Sequence, residues 1–202
     1  MAAANVGADG LDLRTDPQGS AVFSACGHYR YDLTCEFEEP GTLFDGGEAT
    51  RGTVCWVLAN PETADEAVLD PTLTRCAKFS RAWGFSSMVI PNVLAYRATD
   101  PKAVVAAARD GVDDVGPAHD AYLARRAGIE LVVGCGAFGL VAARASRVLQ
   151  LLGPEGLCCV GRNRDDSPRH SLYLPASAGL VPFDPEARDG GTVAAARSHA
   201  RQ

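Results

Sequence analysis

Residues 58–72, LANPETADEAVLDPT, put an amide and several carboxylates directly behind an apolar run. Pro61 restricts Asn60 to an extended backbone. An amide held there donates and accepts, which suits a base edge or a water, and equally suits an Asx-type turn. Asp65 and Asp70 read as helix caps or as site carboxylates. Asp70, ahead of Pro71 and Thr72, has the better capping context. A second group follows in NVLAYRATDP (92–101). Asn92 is costly inside a strand unless paired, so it marks a bulge or a functional position. Arg97 carries a planar fork that suits a phosphate, or an ion pair with Asp100 or Asp120. GCGAFG (134–139) matches G-x-G-x-x-G literally at Gly134, Gly136 and Gly139. A dinucleotide loop wants an acidic residue at the end of the next strand, and Glu155 precedes that strand instead. Close backbone approach to a smaller ligand, with Gly134 in contact, stays open. Finally, Arg162, Arg164, Arg169 and His170 share one loop. A histidine there can stabilise a developing anion or move a proton near neutral pH. His119 reads as a helix-face residue. The chain has no G-x-S-x-G elbow, no Walker A motif and no H-x-x-x-H spacing, so no metal ligand set is assigned.

These groups need elements to hold them, and the hydrophobic period supplies them. HYRYDLTCEF (28–37) reads as a strand. TVCWVLA (53–59), SMVIPNVLA (87–95), IELVVGCG (129–136) and GLCCVG (156–161) read as four buried strands. Between them, residues 69–84, 100–108, 116–128 and 137–153 carry helical signals, with Asp100 as an N-cap and Gly153 as a stop. Residues 38–52 read as a loop. Residues 1–20 and 184–202 read as flexible tails around one domain over 21–183. Strands alternating with helices predict an α/β fold with a mostly parallel sheet. In such folds ligands bind beyond the carboxyl ends of the strands, where all the groups above lie.

Composition narrows the class of ligand. The 202 residues are 47% hydrophobic and 22% charged, with a net charge of −6. That is ordinary globular composition. No apolar run approaches the roughly 20 residues of a membrane span. The charge is uneven: residues 1–53 hold nine acidic and three basic side chains, whereas residues 54–183 hold thirteen of each. A neutral core favours a nucleoside or nucleotide over long duplex DNA. Seven cysteines, with no C-x-x-C pair and no secretory leader, predict a reduced, cytoplasmic protein.

The segments LANPETADEAVLDPTLTRC, NVLAYRATDP, GPAHDAYL, GCGAFG and SPRHSLYLP, in that order, resemble the DUF1643 family over about residues 28 to 183. The family implies no established activity. His119 stands where its members more usually have asparagine. The order of signals is also similar to the uracil-DNA glycosylase superfamily. There, one strand ends in G-x-[ND]-P, another carries N-V-x-x-x-R-P, a third ends in L-G, and a last loop begins H-P-S. The counterparts are Leu58-Ala59-Asn60-Pro61, Asn92-Val93 with Arg97, Val133-Gly134, and His170-Ser171. Glu62, and Ser171 in place of proline, depart from that pattern. This resemblance implies a three-layer sandwich around a central, mostly parallel four-stranded sheet. It also implies hydrolysis of an N-glycosidic bond in a nucleoside, nucleotide or nucleic acid, without a cofactor. Asn60 would position water or base, Asn92 would read the base edge, and His170 would stabilise the departing base. Asp65, Asp70, Arg97, Gly134 and Arg169 complete the expected substrate contacts. A non-catalytic nucleobase-binding module is the alternative, and a hydrolase or transferase working through Asp65 or Asp70 is a third.

Overall fold

The apolar run at 53–59 has no polar face to turn to water, so it must be covered on both sides. It forms β5 (Arg51–Val57), and the alternation of side chains divides it between two cores. Val54, Trp56 and Leu58 face helix α1 (Pro71–Ala82). Cys55 and Val57 face α2 (Pro101–Arg109), α3 (His119–Ala124) and α4 (Gly139–Leu152). Helices thus cover both faces of one sheet. The computed structural model describes residues 5–6, 11–16, 19–37, 51–62, 64–65, 67–136, 139–153 and 156–185.

Asp70 caps α1 by accepting from the Leu73 amide at 2.8 Å, with Pro71 in the first turn. Leu73, Cys76, Ala77 and Ser80 then fall on the inward stripe. Trp56 lies against this stripe, and its indole N–H donates to Ser80 Oγ at 2.9 Å. Asp100 caps α2 in the same way through the Lys102 amide. Gly153 ends α4 at a φ of 87°, a left-handed position that suits glycine.

Among the described residues the strands are β1 (Asn5–Val6), β2 (Leu11–Asp16), β3 (Gly19–Ser24), β4 (Arg30–Glu36), β5, β6 (Phe85–Val89), β7 (Glu130–Val133), β8 (Cys158–Cys159) and β9 (Val181–Pro182). They form one nine-stranded sheet in the order β1-β2-β3-β4-β6-β5-β7-β8-β9. The four strands expected from the apolar runs are β6, β5, β7 and β8, and they pair with one another in parallel. Every other pairing is antiparallel, so the sheet as a whole is mixed and mostly antiparallel. The expectation of a four-stranded, mostly parallel sheet is corrected accordingly.

The added strands come largely from residues expected to be a tail. Residues 11–16 and 19–24 pair as an antiparallel hairpin, which continues onto β4. Ala21, Val22 and Phe23 of β3 are buried in succession, Ala21 and Phe23 in the core shared with α1 and Val22 against Tyr31 and Ala95 on the other face, whereas β2 contributes no buried apolar side chain. The expected loop at 38–52 lies outside the described residues as far as residue 50. The expected tail at 184–202 lies outside them beyond residue 185.

One further departure positions the site. The strand expected over 87–95 ends at Val89, because Pro91 has no amide for the ladder. Residues 90–95 stay buried and cross over the end of β5. The Val93 and Leu94 amides donate to the carbonyls of Leu58 and Ala59 at 2.8 and 2.9 Å.

Candidate functional site

The carboxyl ends of β5, β6, β7 and β8 open into the segments that carry most of the polar candidates. After β5, the Asn60 amide donates to the carbonyls of Pro61 (3.1 Å) and Ala98 (2.9 Å). These bonds fix the amide plane and leave Oδ1 as an acceptor with no partner among the described residues. Asn60 thus ties the loop and still presents an acceptor.

Asn92 is 2% exposed. Its Oδ1 accepts from Arg30 Nη2 at 2.9 Å, and its carbonyl oxygen lies 2.6 Å from His119 Nε2. Since a carbonyl only accepts, His119 carries its proton on Nε2. Asn92 is thus a paired interior residue, as its cost of burial demands.

Arg30 is the residue that sequence reasoning missed. It lies in β4, is 1% exposed, and makes no ion pair among the described residues. Its other bond is Nη1 to the carbonyl of Ala64 at 2.8 Å, and its Nε is buried without a partner. Burial lowers its pKa to about 10, against the opposing charge of Asp70. A cation inside an apolar strand was the available signal. His119, expected on a helix face, opens α3 and is fully buried. Burial pulls its pKa down to about 4, so the ring is neutral near pH 7.

Asp70 is 8% exposed and caps α1, yet its charge also reaches Arg30, Glu62 and His170. Glu62, noted in the sequence only as a departure from a motif, is half-buried. Burial, then Asp70, hold its carboxyl above the usual range, while Arg30 opposes them. Asp70→Ala is expected to cost about 1 kcal/mol through the lost cap. Asp70→Asn keeps an acceptor for Leu73 and is expected to keep most of that stability. Without the Asp70 charge, the pKa values of His170 and Glu62 both move down, which NMR titration reads directly. Unmoved titrations would separate Asp70 from the cluster.

His170 caps the short 3-10 turn Ser171–Tyr173, its Nδ1 accepting from the Leu172 amide at 3.3 Å. Nε2 therefore carries the proton. Burial holds the imidazole below its usual pKa, with Asp70 opposing. The turn is tied to α1 by Cys76 Sγ to Ser171 Oγ at 3.4 Å and by Arg75 to the Leu174 carbonyl. Gly136, at a φ of 70°, lets the chain pass close by: a Cβ there would lie 3.8 Å from His170 Cβ.

Three further expected contacts are each engaged in holding the fold. Asp65 Oδ1 accepts from the Ala67 and Val68 amides at 3.0 and 2.8 Å, a local turn. Arg97 holds the 24–29 turn through Gly27 O (3.3 Å) and lies over the Phe23 ring at 4.8 Å. Of its two expected partners, Asp100 caps α2, and Asp120 pairs with Arg144 and Arg147. Gly134 lets the chain pack closely, since a Cβ there would meet Leu58 Cδ2 at 3.2 Å. Arg169 is exposed beside His170, and its amide donates to Gly161 O at 2.8 Å.

The Asp70 charge acts on both Glu62 and His170, and Asn60 holds an oriented acceptor beside Glu62 in sequence; such groups are of the kind that position water and receive a developing negative charge. No group of three or more metal-ligating side chains occurs among the described residues. All seven thiols are free, and no helix among the described residues is long and apolar enough to cross a membrane. No curated protein and no solved structure matches the chain. The model of one family, described as a protein of unknown function, matches residues 30–172. That span runs from Arg30 to the His170 turn and so contains every polar group of the site; the chain belongs to the DUF1643 family.

Proposed function

We propose that this protein hydrolyses the N-glycosidic bond of a nucleobase in a nucleoside, nucleotide or nucleic acid. The observation that carries the reading is the state of His170. Its ring is kept neutral by burial and its Nδ1 is occupied by the Leu172 amide, so Nε2–H is a fixed donor. A departing base needs such a donor, because it leaves with the electron pair of the broken C1′–N bond. The sugar gains oxocarbenium character, so a weak nucleophile such as water suffices once it is positioned. Asn60 Oδ1 accepts a hydrogen bond from that water. Glu62 takes its proton as the new C1′–O bond forms, and its raised pKa makes it a better base than an ordinary carboxylate. Water is the only co-reactant this chemistry requires. The parallel order β6-β5-β7-β8, with the site at the strand ends, is in keeping with a glycosylase-like core.

The second reading is a binding module for the same ligands. It is favoured by Asn60, whose amide hydrogens are both directed to backbone carbonyls. One experiment separates the two. The purified chain is incubated with nucleosides, nucleotides and oligonucleotides carrying altered bases, and released base is measured by mass spectrometry. Release at a rate above buffer supports hydrolysis. Binding without release supports the module. Neither binding nor release across the panel overturns both.

A further inference from the structure

We propose that the turn Arg169–Tyr173 is the binding surface for a nucleoside phosphate, with the Tyr173 ring stacked on the base and Arg169 paired with the phosphate. The inference rests on the nucleobase reading of the site and adds to it the phosphorylated state of the ligand.

Tyr173 is 75% exposed, the most exposed of the large apolar side chains among the described residues. Its ring centroid lies 5.8 Å from that of His170, tilted by 47°. Leu172 beside it is 37% exposed. An aromatic ring left in water adds little to the fold. Its backbone, by contrast, is held firmly. Ser171 is fully buried, and Leu174 is 5% exposed and packs into the core. The turn therefore presents Tyr173 outward from a fixed base, beside the one imidazole whose donor points to the proposed leaving group. A nucleobase offers a π-face to such a ring whatever its edge pattern.

The charges on the same loop are uneven. Arg162 is engaged by the Pro182 carbonyl at 2.9 Å and by Asp166 at 3.8 Å. Asp165 is turned onto Ser167, accepting from both its amide and its hydroxyl. Arg164 and Arg169 are exposed and make no ion pair among the described residues. Of these two, Arg169 immediately precedes His170. A guanidinium there meets a phosphate with two parallel N–H donors. Core neutrality over 54–183 does not oppose this, because the contact is local and short-ranged.

The test measures equilibrium binding by the full chain to uridine, adenosine, their 5′-monophosphates, inorganic phosphate and a short single-stranded oligonucleotide. The monophosphates, the oligonucleotide or both are expected to bind roughly tenfold tighter than the nucleosides. Arg169→Ala should erase that difference. Tyr173→Ala should weaken nucleoside and nucleotide alike by roughly tenfold, with Tyr173→Phe restoring both. Both side chains are exposed, so the melting temperatures of the variants should match that of the parent chain. Preference for the monophosphate or for the oligonucleotide identifies the source of the phosphate. Equal binding of nucleoside and monophosphate, wild-type affinities in the variants, or no binding to any of these ligands overturns the proposal. Base release from the monophosphates that is indifferent to Arg169 and Tyr173 also overturns it, and leaves the hydrolase reading standing.

Discussion

Lowering the pH from 6.5 to about 4 should remove on the order of 3 kcal/mol of folding stability through His119 alone. The sign follows from the direction of the shift. The folded pKa is below the unfolded one, so the unfolded chain takes up the proton first. Above 6.5 both states are neutral and His119 contributes no pH dependence. Between 6.5 and about 4 only the unfolded state is protonated, and stability falls with pH. Burial is the main cause, and the Arg144 charge adds to it. The Asn92 carbonyl and Asp120 oppose it. The isosteric control is His119→Gln, whose amide N–H reaches toward the Asn92 carbonyl but does not titrate. Urea midpoints of the two chains at pH 7, 5 and 4 check the claim. Their difference should change steadily with acidification, the variant retaining more of its stability. A parallel loss in both chains would assign the acid sensitivity to other groups.

For the proposed hydrolysis, His170→Ala is expected to slow base release by roughly 100- to 1000-fold, the usual cost of one preorganised donor to a developing anion. Substrate binding should change far less, because the donor matters most once charge has moved to the base. Asn60→Ala should also lower the rate, through loss of the water acceptor. Its fall in turnover should exceed any loss in binding. The pH profile discriminates further. A neutral His170 is the working form, with Nδ1 accepting from Leu172 and Nε2 donating. Protonation of Nδ1 breaks that cap, so the rate should fall as the pH drops through the depressed pKa of His170. A rate unchanged in both alanine variants would end the assignment of these residues.

Much of the frame was legible in order along the chain. The four core strands, the four helices and the caps at Asp70 and Asp100 announce themselves through apolar period and local hydrogen-bonding chemistry. Such signals act over a few residues and survive in any tertiary setting. The N-terminal hairpin was hidden, because β2 is largely polar and the buried apolar run of β3 is only the three residues Ala21 to Phe23. Among the candidate residues, Asn60, Asp70, Arg169 and His170 were singled out by their position at strand ends and helix starts. Asp65, Arg97 and Gly134 shared that position, and the structure shows each in a contact that holds the fold.

By itself, then, the sequence determined the four core strands, the helices between them and the edge of the sheet at which polar chemistry gathers. The tertiary structure alone decided which polar groups are consumed by that fold. Arg30 meets Ala64 and Asn92, partners 34 and 62 residues away, and His119 meets Asn92 across 27 residues. Hydrogen bonds over such separations depend on how the strand ends cross, and no local spacing encodes them. The same bonds set the burial that neutralises His119, and the packing of the turn on α1 sets the burial that neutralises His170. Protonation state, on which the chemistry turns, is a property of the packed environment and not of residue type.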